Sequence, residues 1–102
     1  MSAKNIKIVT VIATFHASPG QEQALREALV ALVAPTRQEE GCLNYDLHVY
    51  QDEPGKFLFH ENWISRAHLD AHLASTHIQA LLPHVDHLCV TRPEITLWEK
   101  IA

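Results

Sequence analysis

The sequence predicts an α+β fold: a four-stranded antiparallel sheet carrying its helices on one face. Three observations lead there. Four runs are rich in β-branched residues or alternate strictly between apolar and polar. Two longer stretches instead place apolar residues at helical spacing, one after the first strand run and one after the third. A short Pro-Gly turn, with no helix, separates the two middle runs. The resulting order is β-α-β-β-α-β with the second helix split in two, the ferredoxin-like arrangement.

The first strand is "IKIVTVIATFHA", dense in β-branched residues. "SPGQ" follows, where Ser18 suits a helix cap, Pro19 its first turn and Gln21 a capping box. Leu25, Ala28, Leu29, Leu32 and Val33 then recur at i, i+3, i+4, so a helix buries one face. Pro35 is expected to kink or end it, and Gly41 to let the chain leave. "CLNYDLHVY" sets Leu43, Tyr45, Leu47 and Val49 against Asn44, Asp46, His48 and Tyr50. "DEPG" reads as a type II turn. "KFLFHENW" returns, with Phe57, Phe59, Glu61 and Trp63 on one face and Leu58, His60 and Asn62 on the other. Ser65 is placed to cap the next helix, with Leu69 and Leu73 inward. Ser75 is placed to cap another, with Ile78, Leu81, Leu82 and Val85 as its apolar stripe, and Pro83 should end or bend it. "EITLWEKI" is the last strand, just after Pro93.

The bulk properties narrow the function. A chain of 102 residues buries roughly 60–70% of its unfolded surface, so residues 1–102 are read as one domain. A net charge of −4 with no basic run argues against a nucleic-acid surface, which needs clustered Lys and Arg. Lys4 and Lys7 precede "IVTVIATF", which is read as a strand and not as a signal peptide. No apolar run approaches the roughly 18 residues needed to span a membrane. Cys42 and Cys89 form no C-x-x-C pair and are read as buried thiols of a cytoplasmic protein. The sheet face opposite the helices would carry Ile8, Ile12, Tyr50, Leu58 and Trp98 beside His48, His60 and Asn62. That is too apolar for a solvated surface, which implies a two-fold homodimer packed sheet on sheet.

Five of the eight histidines fall within "AHLDAHLASTHIQALLPHVDHL", residues 67–88. His68 and His72 share a helix side, but a metal site needs a third protein ligand and no H-E-x-x-H is present. No metal is therefore expected, and His68, His84 and His87 are read as solvated. His72 and His77 lie at the borders of the apolar stripes, about 60° from Leu69 and about 100° from Ile78 at roughly 3.6 residues per turn. Either can reach a pocket between helix and sheet. Glu61 shares a face with three large aromatics, so burial should raise its pKa and it should have a partner, His72 or His77.

The stretch "EEGCLNYDLHVYQDEPGKFLFHENWISRAHLDAHLASTHI" resembles the antibiotic biosynthesis monooxygenase family, of dimeric α/β-barrel fold. Gly41-Cys42 before the Tyr45 strand, Glu61-x-Trp63-x-Ser65, and His72 with Ser75 and His77 carry the resemblance. Members include cofactor-free oxygenases of quinols and polycyclic phenols, haem degraders, and isomerases that process phosphorylated autoinducer-2. The Asn, Trp and His of the haem degraders align with Ala13, His72 and Leu82, so haem degradation is not expected. The Asn, Trp, Tyr and Arg of the polyketide-tailoring oxygenases align with Phe59, Trp63, Leu69 and Pro83, and only the Trp is kept.

The resulting expectation is a cofactor-independent monooxygenase that oxidises a small aromatic quinol or phenol with O2. No Rossmann glycine pattern, P-loop or cysteine cluster offers a cofactor site. An electron-rich phenolate can itself reduce O2, given a base, a dry pocket and an anion-stabilising donor. His72 is expected as base, Glu61 as its orienting partner, Trp63 as a stacking wall beside Phe59, and His77 or Tyr45 as donor. An isomerase using the same pocket, or a dimer that binds a small ligand without turnover, are the alternatives.

Overall fold

The computed structural model describes residues 7–102. The elements are β1 (Val9–His16), α1 (Glu22–Val30), α2 (Val33–Arg37), β2 (Cys42–Val49), β3 (Lys56–Trp63), α3 (Arg66–Leu73), α4 (Thr76–Leu81), a 3-10 turn (Leu82–His84), α5 (Val85–Leu88) and β4 (Glu94–Trp98). Lys4 and Ile6, used above in reading the first strand, lie outside the described residues. The strands form one antiparallel sheet in the order β2-β3-β1-β4, the ferredoxin-like fold.

Strand alternation decides which side chains meet the helices. Val11, Ala13, Tyr45, Phe57, Phe59 and Trp63 are buried on one face, against Leu25, Leu29, Leu69, Leu81 and Leu88 from the helices. The opposite face bears Tyr50 (55% exposed) and Trp98 (58% exposed) with half-buried Ile12, Leu58 and His60. A polar row crosses that face: Thr10 Oγ1 donates to Asn62 Oδ1, and Asn62 Nδ2 donates to Asn44 Oδ1 at 2.7 Å.

Several local expectations are corrected. Ser18 does not cap α1: its carbonyl accepts from Gln21 N–H at 2.8 Å, closing a turn through Gly20 (φ +87°), and the helix begins at Glu22. Pro35 lies inside α2. It has no N–H for the carbonyl of Ala31 one turn back, so the break falls earlier, between α1 and α2. The 53–56 turn is not type II, because Gly55, at its third position, lacks the positive φ that Gly20 and Gly41 have. Lys56 N–H closes it onto the Glu53 carbonyl at 3.2 Å. Leu43 does not share the Tyr45 face. A bulge between Cys42 and Asn44 inserts it as an extra residue and leaves it 53% exposed. Leu82 leaves the apolar stripe and is exposed, since Pro83 converts that turn to 3-10 geometry and rotates it.

Gly41 has φ +84°, and a Cβ there would lie 2.7 Å from His68 Cβ on α3. His68 is consequently half-buried against this turn and bonded to Ser65 through Nδ1 at 2.7 Å, not free in solvent. Both the left-handed backbone and the close approach oppose any side chain. Gly41→Ala is expected to lose about 2 kcal/mol or more in urea unfolding. A loss under about 0.5 kcal/mol, the scale of ordinary surface changes, would show that the turn can relax.

Candidate active site

The site begins with the period of β3. Phe59, Glu61 and Trp63 lie two apart, so all three point at the helices and are buried. Two apart is also hydrogen-bonding distance: Trp63 Nε1–H donates to Glu61 Oε1 at 2.9 Å. Tyr45 lies opposite Glu61 in the β2–β3 register. Its ring stacks on Phe59, with centroids 4.4 Å apart.

Helix α3 supplies the next group. Ser65 caps it by accepting from His68 N–H at 3.2 Å. With the helix phased from that cap, Leu69 and His72 point inward three residues apart, while Leu73, expected there, is exposed. The His72 ring lies 4.6 Å from Trp63 and 5.3 Å from Tyr45. Ser75 caps α4 and sets His77 at its start.

Glu39 joins the two histidines. Its Oε2 accepts from His72 Nδ1 at 2.8 Å and from His77 Nε2 at 2.7 Å. An ionised carboxylate only accepts, so each of those nitrogens carries its proton. Neutral His72 therefore keeps a lone pair on Nε2, the arrangement in which a carboxylate fixes the tautomer of a base.

A cavity of about 80 Å³ lies between sheet and helices, lined by Tyr45, Phe59, Glu61 and His72 among apolar side chains. Leu73, Leu82 and Ile95, all exposed, belong to its lining and form its rim. A wider open groove of about 900 Å³ lies at the far end of the sheet, bordered by His48, Tyr50, Lys56 and Arg92. It contains neither Glu61 nor His72, which both line the smaller cavity.

Burial sets the protonation states. It pushes Glu61 up to about 7, against the pull of the Trp63 N–H, and the negative Glu39 adds to the rise. Burial lowers His72, and its hydrogen bond to Glu39 opposes that. Burial and then Glu61 raise the Tyr45 phenol. The Thr36 hydroxyl lies beside that phenol but is buried without a hydrogen bond of good geometry.

Of the residues singled out from sequence, the fold brings Tyr45, Phe59, Glu61 and His72 to one cavity. It does not bring Trp63 or His77 there. Trp63 is fully buried against His72 and is not among the cavity-lining residues. His77 lies on the outer side of Glu39. Glu61 bonds Trp63 and neither histidine. The orienting carboxylate of His72 is Glu39, which sequence reasoning missed. It stands 33 and 38 residues from its partners, and no local spacing marks it.

A four-stranded ferredoxin-like sheet with a small cavity under its helices, lined by Glu61 and His72, places the chain among small α+β proteins of this fold. Within that class, the model of the antibiotic biosynthesis monooxygenase family matches residues 8–83, and the chain belongs to this family. It is 41% identical over 85 residues to "Putative monooxygenase Rv0793" of Mycobacterium tuberculosis, covering 83% of this chain and 82% of that one. It is 35% identical over 83 residues to "Probable quinol monooxygenase YgiN" of Escherichia coli, covering 72% and 80%. The crystal structure of PA3566 from Pseudomonas aeruginosa superposes with a TM-score of 0.89 at 35% identity, covering 94% of this chain and 96% of that one. Among the described residues no helix is long and apolar enough to cross a membrane.

Proposed function

We propose that this protein is a cofactor-independent monooxygenase that oxidises a small aromatic quinol or phenol. The carrying observation is His72: its ring lines the cavity, and Glu39 holds Nδ1 so that Nε2 is the basic nitrogen. Phenols ionise near pH 10, so a positioned base helps form the electron-rich phenolate. Transfer of electrons from that anion to O2, oxygen insertion and loss of water convert one quinol and one O2 to one hydroxyquinone and one water. Glu61, protonated below about pH 7, is the proton donor for the oxygen that leaves as water. The Tyr45 hydroxyl takes the donor role for which His77 is badly placed. Phe59 supplies an apolar aromatic wall.

The cavity is smaller than the ~150 Å³ that holds benzene in an engineered protein core. Substrate entry therefore moves the Leu73–Leu82 rim, where Pro83 has already broken the helix. The apolar outer sheet face is assigned to a two-fold homodimer, and the free thiols Cys42 and Cys89 fit a reducing cytoplasm. No separate cofactor enters this scheme. A second reading, an isomerase, draws on one observation: Glu61 and His72 place two acid/base groups on one small cavity, enough to shuttle a proton beside a carbonyl without oxygen.

The test is oxygen uptake by chelator-stripped protein with a panel of hydroquinones and polycyclic phenols, against a protein-free blank. Uptake above the blank that survives chelation is expected. No excess across the panel would overturn the oxygenase, and solvent-proton exchange into ketones under anaerobic conditions would then test the isomerase.

A further inference from the structure

The metal reading fails at sequence level for want of a third ligand beside the helical histidines. The fold supplies one from a distant turn. Glu39, His72 and His77 each offer a donor atom, and these atoms all lie within 4.8 Å of one another. We infer that these three side chains form a binding site for a divalent transition-metal ion of the zinc class, beside the cavity and sharing His72 with it.

The geometry supports this in three ways. Both imidazoles aim a nitrogen at the same carboxylate oxygen, at 2.8 and 2.7 Å. Bonds of about 2.1 Å at tetrahedral angles put donors about 3.4 Å apart, so each histidine–Glu39 distance needs to open by only about 0.6–0.7 Å. That opening is available, because the Glu39 and His77 side chains are 17% and 22% exposed while His72 is held in the core. Their partial exposure also leaves room for a water as fourth ligand, the usual complement to three protein ligands. Two imidazoles and one carboxylate favour zinc, cobalt, nickel or copper over magnesium or calcium, which prefer oxygen alone. Each histidine follows its own serine cap, Ser65 or Ser75, so two of the three ligands are positioned before any ion arrives.

Occupancy has a chemical consequence. Without an ion, His72 Nδ1 carries the proton and donates to Glu39. A metal at Nδ1 needs that lone pair, so neutral His72 must carry its proton on Nε2, the nitrogen that does not meet Glu39. The base becomes a donor, and the ion switches it off. This consequence rests on the oxygenase reading, whereas the binding does not.

The experiment titrates chelator-stripped protein with cobalt(II), following its visible absorption, and with zinc by calorimetry. One ion per chain is expected, with a visible cobalt band that zinc displaces. Glu39→Gln and His77→Gln should each weaken binding at least 10-fold, and circular dichroism melts identify any variant that has not folded. His84→Gln should bind as the native chain does. Absence of a stoichiometric band, or binding that survives in folded Glu39→Gln and His77→Gln, would overturn the site. Saturating zinc should also suppress oxygen uptake, with recovery on adding chelator. Undiminished uptake by the zinc-loaded protein would overturn the switch and leave the site standing. Stoichiometric metal binding by a protein that oxidises no quinol would sink the oxygenase reading and leave the site intact.

Discussion

Replacing His72 with alanine is expected to lower oxygen uptake on a quinol about 10²–10⁴-fold, the usual range for a positioned general base. His72 is the only residue of the Glu39–His72–His77 cluster that lines the cavity, so neither of the other two can take the substrate proton directly. The substitution also empties space beside Trp63 and Tyr45, so thermal melts must accompany it. Glu39→Gln offers a milder companion. An amide can donate as well as accept, so it no longer selects one His72 tautomer. Its turnover should fall less than that of His72→Ala. Native uptake by a folded His72→Ala protein would remove His72 as the base.

The second large effect concerns stability. Glu61 is buried in apolar surroundings with one hydrogen bond, from Trp63, and its carboxyl is raised from the ordinary 4.5 to about 7. The sign follows from proton counts. Below pH 4.5 the folded and unfolded chains both hold the proton, and there is no difference. Between 4.5 and about 7 the unfolded chain releases it while the folded chain keeps it, so stability falls as pH rises. Above about 7 the loss is complete, about 3 kcal/mol. Glu61→Gln keeps an acceptor for the Trp63 N–H and removes the ionisation. It should match the native chain near pH 4.5 and exceed it by up to about 3 kcal/mol at pH 8, in urea melts at both values. Parallel pH profiles for the two proteins would mean that water or a partner already solvates the carboxylate. On the oxygenase reading, the same variant should also lose the limb of the activity profile near pH 7.

On the oxygenase reading, the gain at pH 8 would come with a chemical loss. A Gln there packs as well and cannot exchange a proton. Local strain and destabilisation of this kind gather at functional sites.

Much of this architecture was legible in the sequence, because its signals are local. Alternation in "KFLFHENW" placed Phe59, Glu61 and Trp63 on the buried face. Ser65 and Ser75 announced two helix starts, and Pro83 the break after the second. Those caps also set the helical phase, and His72 turned inward at the border of its stripe as the wheel suggested. The errors were local too. Ser18 carried the composition of a cap, but Gly20 turned the chain before a helix could start there. Leu43 had the right parity for the core, and a one-residue bulge cancelled it.

The partnerships were a different matter. Glu61 and the histidines looked like natural partners because each needed one, yet Glu61 found Trp63 two residues away and the histidines found Glu39 more than thirty residues away. The sequence by itself determined the Phe59–Glu61–Trp63 strand face, the helix starts at Ser65 and Ser75 and the burial of Glu61, since period and capping depend only on near neighbours. Only the tertiary structure decided that Glu39 orients His72, that Trp63 packs behind His72 and off the cavity, and that Glu39, His72 and His77 converge. Those contacts join the turn before β2 to helices α3 and α4. Their distance depends on how the sheet folds the chain back on itself, and no spacing in the sequence records it.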